Sequence, residues 1–313
     1  MLKRMFIKKM VLISAILFTI GLLYLMPKEN TLKVKKTTEY TDSSILTHSI
    51  YLLNKDNYLG MCKVVISDNS IDVKAFELLE ALIIGNSRIP NGFRGIIPPN
   101  TKINSIKYEN NLIKVDFSKD ILEVNKNDEE KMIEAIVYTL TSIKEIKKVI
   151  IYVEGEILTE LPNSHVHLPS TLDRKYGINK EYDLENYKNI SNVTVYYLHK
   201  DHYYVPVTKY YNGDENKIKI IINELASSYI QDSNLMSYLN SNTKLLKTYE
   251  ELDTLFLVFN EYIFSDMYTK NILEEVAYSI SLSLSDTLDT QNVSFVVNDK
   301  EIYKTTMEIL ENY

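Results

Sequence analysis

The chain has 313 residues, 45% of them apolar, with 35 Lys+Arg against 42 Asp+Glu. That balance excludes a wholly disordered chain, a collagen-like repeat and a multi-span membrane protein, and the length allows two compact units of ordinary size. The first 36 residues hold eight basic side chains and one acid, so the net charge of −7 for the whole leaves −14 on the remaining 277. A body so acidic is poorly suited to nucleic acid, whose phosphates are bound through Lys and Arg. The lone Cys62 permits neither an intramolecular disulfide nor a zinc-binding cysteine pair.

Lys3, Arg4, Lys8 and Lys9 precede the uncharged stretch 10–26, where Met10, Leu12, Ile13, Ile16, Leu17, Phe18, Leu22, Leu23, Leu25 and Met26 supply the apolar surface. As a helix this stretch would be about 26 Å long, enough to cross a hydrocarbon core when flanking lysines reach the headgroups. No A-x-A-like pair precedes Pro27 and no lipid-accepting cysteine follows, so the stretch reads as an uncleaved signal anchor rather than a removable signal peptide. The expected order is a cytoplasmic tail at 1–9, the transmembrane anchor at 10–26 and a polar stalk at 27–48, with the acidic body outside the cell membrane.

Beyond the stalk the sequence repeats itself. SIYLLNKDNYL from Ser49 aligns with TVYYLHKDHYY from Thr194 at an offset of 145, with Tyr51/Tyr196, Lys55/Lys200, Asp56/Asp201 and Tyr58/Tyr203 identical. Downstream, Asn100-Thr101-Lys102 meets Asn242-Thr243-Lys244, and KKVIIYVEGE from Lys147 meets QNVSFVVNDK from Gln291. The reading is a first domain at 49–157, a linker at 158–193 and a second, more divergent domain at 194–313.

Within the first copy, strands are expected at Ile50 to Leu53 and Tyr58 to Ile66, joined by a Lys55-Asp56-Asn57 turn. Ala75, Leu78, Leu79 and Leu82 then mark a helical stripe that Gly85 would end. A hairpin follows, Lys102 to Tyr108 and Leu112 to Phe117 around Glu109-Asn110-Asn111. A second helix starts at an Asn127 cap and buries Ile133, Ile136, Val137, Leu140 and Ile143; its equivalent buries Leu273, Val276, Ala277, Ile280 and Leu284. A last strand, Val149 to Val153, completes a β(β)αββαβ unit in which two helices cover one face of a sheet, an α+β sandwich present twice.

Few residues point to chemistry. His165/His167 and His199/His202 are pairs without a third ligand at fixed spacing, and with His48 they read as exposed loop residues, so no metal site is assigned. Cys62 falls mid-strand where the second copy has Val207, with no basic neighbour to activate it, and reads as a packed side chain. Asp116-Phe117-Ser118 reads as structure, since the second copy has Val258-Phe259-Asn260 there. The loop 91–99 lacks the spacing of a phosphate or dinucleotide cradle. No catalytic residue and no cofactor is assigned. The paired tyrosines Tyr196-Tyr197, Tyr203-Tyr204 and Tyr210-Tyr211 must each turn one ring away from their own core, toward a wet interface.

The succession YLLNKDNYL, RGIIPPNTKINSI, LIKVDFSKDIL and EAIVYTLTSIKEIKKV before IIYVEG resembles the GerMN domain family over Ser49 to Gly155, and more faintly over Thr194 to Tyr303. Its motif-bearing structural positions here are Gly92, Gly95, Pro98, Asp116, Phe117 and Ser118. The resemblance implies two domains similar to the ring-building modules of secretion machines, held outside the cytoplasmic membrane. It also implies a non-enzymatic role in assembling a sporulation or germination complex between mother cell and forespore. Expected partners are other envelope or sporulation-complex proteins, a homo-oligomer of this chain, and the membrane through the N-terminal helix. The alternative the family suggests is a module that modulates a sensor kinase.

Overall fold

The computed structural model describes residues 47–227, 234–288 and 290–306. The tail, anchor and stalk expected at the N-terminus lie outside these residues. Among the described residues no helix is long and apolar enough to cross a membrane.

The first copy runs β1 (Thr47–Asn54), β2 (Leu59–Val65), α1 (Ile71–Ala81), β3 (Phe93–Arg94), β4 (Ile103–Glu109), β5 (Leu112–Phe117), α2 (Glu129–Leu140), β6 (Lys148–Val153) and β7 (Glu156–Ile157). After β8 (Glu181–Asp183) the second copy runs β9 (Ile190–His199), β10 (Tyr204–Asn212), α3 (Lys217–Ala226), β11 (Leu235–Met236), β12 (Leu245–Glu251), β13 (Thr254–Phe259), α4 (Glu274–Leu288), β14 (Asn292–Val297) and β15 (Lys300–Thr306).

The strands of each copy divide between two sheets, where a single sheet is expected from the sequence. The orders are β2-β1-β3 and β4-β5-β6-β7 in the first copy, β11-β9-β10-β8 and β12-β13-β14-β15 in the second. In both, a hairpin strand pairs in parallel with the strand after the long helix, β5 with β6 and β13 with β14. A parallel pair requires a crossover connection, which α2 and α4 provide. Ile113, Val115 and Phe117 alternate into the core of the first copy, Leu255, Leu257 and Phe259 into that of the second.

The opening strands behave differently. β1 is buried at every position from Ile50 to Asn54, and β9 at every position from Val193 to His199, so both faces are covered. One face packs on the long helix of its own copy and the other meets the opposite copy. Along the open edge of each strand the helix supplies a hydroxyl. The Tyr51 amide donates to Thr139 Oγ1 at 3.1 Å, and the equivalent Tyr196 amide donates to Ser283 Oγ at 2.9 Å. An exposed strand edge carries unpaired amides, and these two are satisfied from within.

Three local expectations change. Asp128, not Asn127, stands at the N-cap of α2 and pairs with Arg94 at 2.9 Å. Gly85, at φ +88°, lies in a turn after α1 has already ended at Ala81. Leu273 precedes α4 and is exposed. The linker is also no loose tether, because Leu161, Leu168, Leu172 and Ile178 are buried and β8 adds a parallel strand beside β10. The described residues of both copies fall within one compact unit.

Candidate functional site

Where the copies meet, repeat-equivalent residues face one another. The two Lys-Asp turns lie side by side, Lys55 Nζ donating to Asp201 Oδ2 at 3.2 Å and His199 Nε2 lying 2.8 Å from Asp56 Oδ2. The Asp201 amide donates to His199 Nδ1 at 3.1 Å, so that nitrogen is an acceptor and Nε2 carries the proton toward Asp56. This hydrogen bond holds the Asp56 carboxyl below its usual range. His199 is fully buried against the stacked ring of Tyr203, which corrects its reading as an exposed loop residue. Phe93 and Tyr203 close over Gly60 so tightly that a Cβ there would lie 2.8 Å from the Tyr203 ring.

A second polar cluster sits behind these turns. Tyr51 and Tyr196 hydroxyls are 3.3 Å apart, and Tyr196 donates onward to Asp286 Oδ2 at 3.2 Å. Each hydroxyl has one proton, so Tyr51 donates to Tyr196. The linker residue Arg174 binds both copies: Nε donates to Thr141 Oγ1 at 3.0 Å, Nη1 to Asp286 Oδ1 at 3.1 Å, and the guanidinium lies 4.8 Å from the Tyr138 ring centroid. Burial works against the Arg174 charge and the Asp286 carboxylate favours it; the net direction is upward, so the guanidinium stays protonated. Burial likewise drives Tyr51, Tyr138 and Tyr196 upward, so all three stay neutral. Of the rings that turn away from their own core, Tyr196 and Tyr203 thus meet the other copy and Tyr210 meets the linker.

Asn179, also in the linker, completes the joint. Its Nδ2 donates to Leu59 O at 2.9 Å and to Pro206 O at 2.7 Å, while its Oδ1 accepts from the Leu59 amide at 2.9 Å. One side chain thereby satisfies groups on β2 and β10 that no strand reaches.

Above the Arg174 cluster opens a cleft of about 640 Å³, with walls from both copies and the linker. Lys63, Lys144, Lys147, Lys175 and Lys217 line it together with Arg174, against only Asp173 and Asp286 among the described acids. Tyr51 and Tyr196 line it as well, with hydroxyl and amide groups from Ser49, Thr141, Ser142, Thr194 and Asn192 and apolar side chains from Met61, Ile146, Leu282 and Leu288. The arrangement can hold an anion; among the described residues no group of three or more His, Cys, Asp or Glu is placed to hold a metal ion.

The family described as "Germane: Sporulation and spore germination" matches residues 49–159 and 194–303, one stretch per copy. The chain belongs to the Germane family. It is 34% identical over 291 residues to the spore germination protein GerM of Bacillus subtilis (strain 168), covering 87% of this chain and 79% of GerM. Among solved structures it is similar to the tandem GerMN domains of that sporulation protein, with a TM-score of 0.73 and 31% identity over 81% of this chain and 91% of the other.

The motif positions of the first Germane copy lie away from the cleft lining. Gly92 adopts φ +89° in the loop before β3. At Gly95 a Cβ would stand 2.7 Å from the Ile83 and Leu82 backbones, which receive the Ile96 amide at 2.9 Å through Leu82 O. Pro98 is buried and its carbonyl accepts from the Thr101 amide at 3.1 Å. Asp116 Oδ1 accepts from the Gly155 amide at 3.0 Å, Phe117 is wholly buried, and Ser118 Oγ accepts from the Lys102 amide at 3.0 Å. In the second copy Asn260 Oδ1 accepts from the Lys244 amide at 3.0 Å, the same bond from a different residue.

The other candidates lie outside the cleft lining. Burial pushes the Cys62 thiol up to about 12, far from a thiolate at neutral pH. His165 and His167 both approach the exposed Glu160, at 2.9 and 3.6 Å. His48 Nε2 is buried without a hydrogen-bond partner among the described residues. The cleft lysines carry no sequence signature, being scattered from position 63 to 217.

Proposed function

We propose that this Germane-family protein is a non-enzymatic, membrane-anchored scaffold. Its paired domains stand outside the cytoplasmic membrane and help assemble a sporulation or germination complex across the envelope. The observation that carries this reading is the reciprocal joint between the copies. Lys55 with Asp201, His199 with Asp56, and Arg174 with both halves fix two repeated surfaces at one mutual geometry. A scaffold needs that rigidity, since it presents docking faces at set spacing and loses less entropy when partners bind. The apolar stretch 10–26 supports the anchor, and similarity to GerM supports the sporulation setting.

The test is a fluorescent fusion followed through sporulation of the source organism, with crosslinking and a deletion strain. The expected outcome is sporulation-timed accumulation at the mother cell/forespore septum, crosslinks to septal complex proteins and defective spores on deletion. Uniform vegetative expression with normal spores would remove the scaffold reading, and crosslinks to a sensor kinase alone would replace it.

A further inference from the structure

The cleft between the copies is a site of its own. Its volume of about 640 Å³ falls within the range of small-molecule sites, roughly 300–1,000 Å³. Its charge runs against that of the molecule, as six cations meet two acids in a body with a net charge of −14. Both acids are engaged. Asp286 binds Arg174 and Tyr196, and Asp173 Oδ1 accepts from the Lys175 amide at 2.8 Å. The lysines come from β2 (Lys63), the segment after α2 (Lys144, Lys147), the linker (Lys175) and the first residue of α3 (Lys217), so only the folded pair of copies brings them together. Crowded like charges repel one another, and a bound anion relieves the repulsion.

A second observation separates this cleft from a merely solvated basic face. Ser142, which lines it, has a buried hydroxyl oxygen with no hydrogen-bond partner among the described residues. A buried hydroxyl left unpaired costs free energy, and because Ser142 Oγ lies beneath the cleft surface, a ligand hydroxyl or oxyanion would recover that cost once a turn about χ1 brings the oxygen into the cleft. Thr141, Ser49 and Asn192 stand along the same walls. We propose that the cleft binds a small hydroxylated molecule bearing two or more phosphate or carboxylate groups. The lysines would neutralise its charge and the Ser, Thr and Asn groups would bind its hydroxyls. Such a ligand would bridge the two copies, and the proposal stands independently of the scaffold reading.

The experiment is isothermal titration calorimetry on the full-length protein in neutral detergent. The probes are fructose 1,6-bisphosphate, citrate, tripolyphosphate, glucose and a poly-glutamate peptide. Fructose 1,6-bisphosphate or citrate is expected to bind one-to-one with a Kd below about 1 mM, and glucose not at all. The K144E/K217E double variant, with one charge reversed in each copy, should weaken binding by about tenfold or more, while K188E/K270E at exposed sites outside the cleft should not. K144Q/K217Q repeats the test with a milder change, and a thermal melt of each variant without ligand establishes that it folds. Absence of heat with both hydroxylated anions overturns the proposal, as does equal weakening by the two double variants. Tripolyphosphate binding as tightly as the sugar bisphosphate would overturn the role of the hydroxyls. Binding of poly-glutamate alone would hand the cleft to an acidic protein segment.

Discussion

The two copies share a frame and differ in what leans on it. Both satisfy the edge of their opening strand with a helix hydroxyl, Thr139 in the first and Ser283 in the second, and both lock the start of the hairpin with a side chain, Ser118 or Asn260. Even the turn before the hairpin survives the loss of its Gly and Pro residues. The Thr101 amide donates to Pro98 O at 3.1 Å, and the Thr243 amide donates to Asn240 O at 2.9 Å. The lesson is that geometry is kept by hydrogen bonds available to several residue types. The linker, by contrast, meets the two long helices at different places, α2 near its middle through Asn179 and Lys180 at Glu134, and α4 near its end through Arg174 at Asp286.

The largest expected effect comes from cutting Arg174, a linker cation that serves both copies. Arg174→Ala leaves Asp286, whose side chain is 2% exposed, without its counter-charge. Breaking a buried pair from one side costs about 3–5 kcal/mol. Denaturant unfolding should show this loss, and a second transition would show that the copies had come apart.

A smaller effect distinguishes the two long helices. Burial pushes Glu134 on α2 up to about 7, with Lys180 at 3.6 Å and the Asn179 amide at 2.9 Å opposing it. At the corresponding position α4 has Tyr278, which keeps its proton up to about 12. Below about pH 4.5 Glu134 is protonated in both states and this contribution is complete. As pH rises the unfolded chain releases the proton first, so stability falls up to about pH 7, by about 3 kcal/mol in all. Glu134→Gln should flatten that slope in stability measured against pH, and a slope left unchanged would place the titration elsewhere.

The smallest effect is in the hairpin turns. Asn110 and Asn111 sit at φ +50° and +62°, the left-handed pair that a tight hairpin requires. Their equivalents are Leu252 and Asp253, at +45° and +60°. Leucine pays for that conformation and asparagine tolerates it, so Leu252→Asn should stabilise the protein by about 0.5–1 kcal/mol. Asn110→Leu should destabilise it by a similar amount, both read from the midpoint of thermal unfolding.

The duplication, the order of strands and helices, and the turns at Lys55-Asp56-Asn57 and Asn110-Asn111 were legible because each rests on local pattern: alternation in strands, helical stripes, and residues that accept positive φ. The buried cysteine was legible for the same reason. What the chain alone left open depends on residues far apart. β1 from Ile50 and β9 from Val193 are buried on both faces because a second copy covers their outer side, and the buried His199 ring keeps a partner because Asp56, 143 positions away, accepts its hydrogen bond. The division into two sheets rests on strand pairing within each copy, and the tyrosine joint and the lysine-lined cleft exist only once the copies close on the linker. Short-range preference acts between neighbours in sequence, whereas burial and electrostatic pairing act between neighbours in space, and the folded chain alone defines those.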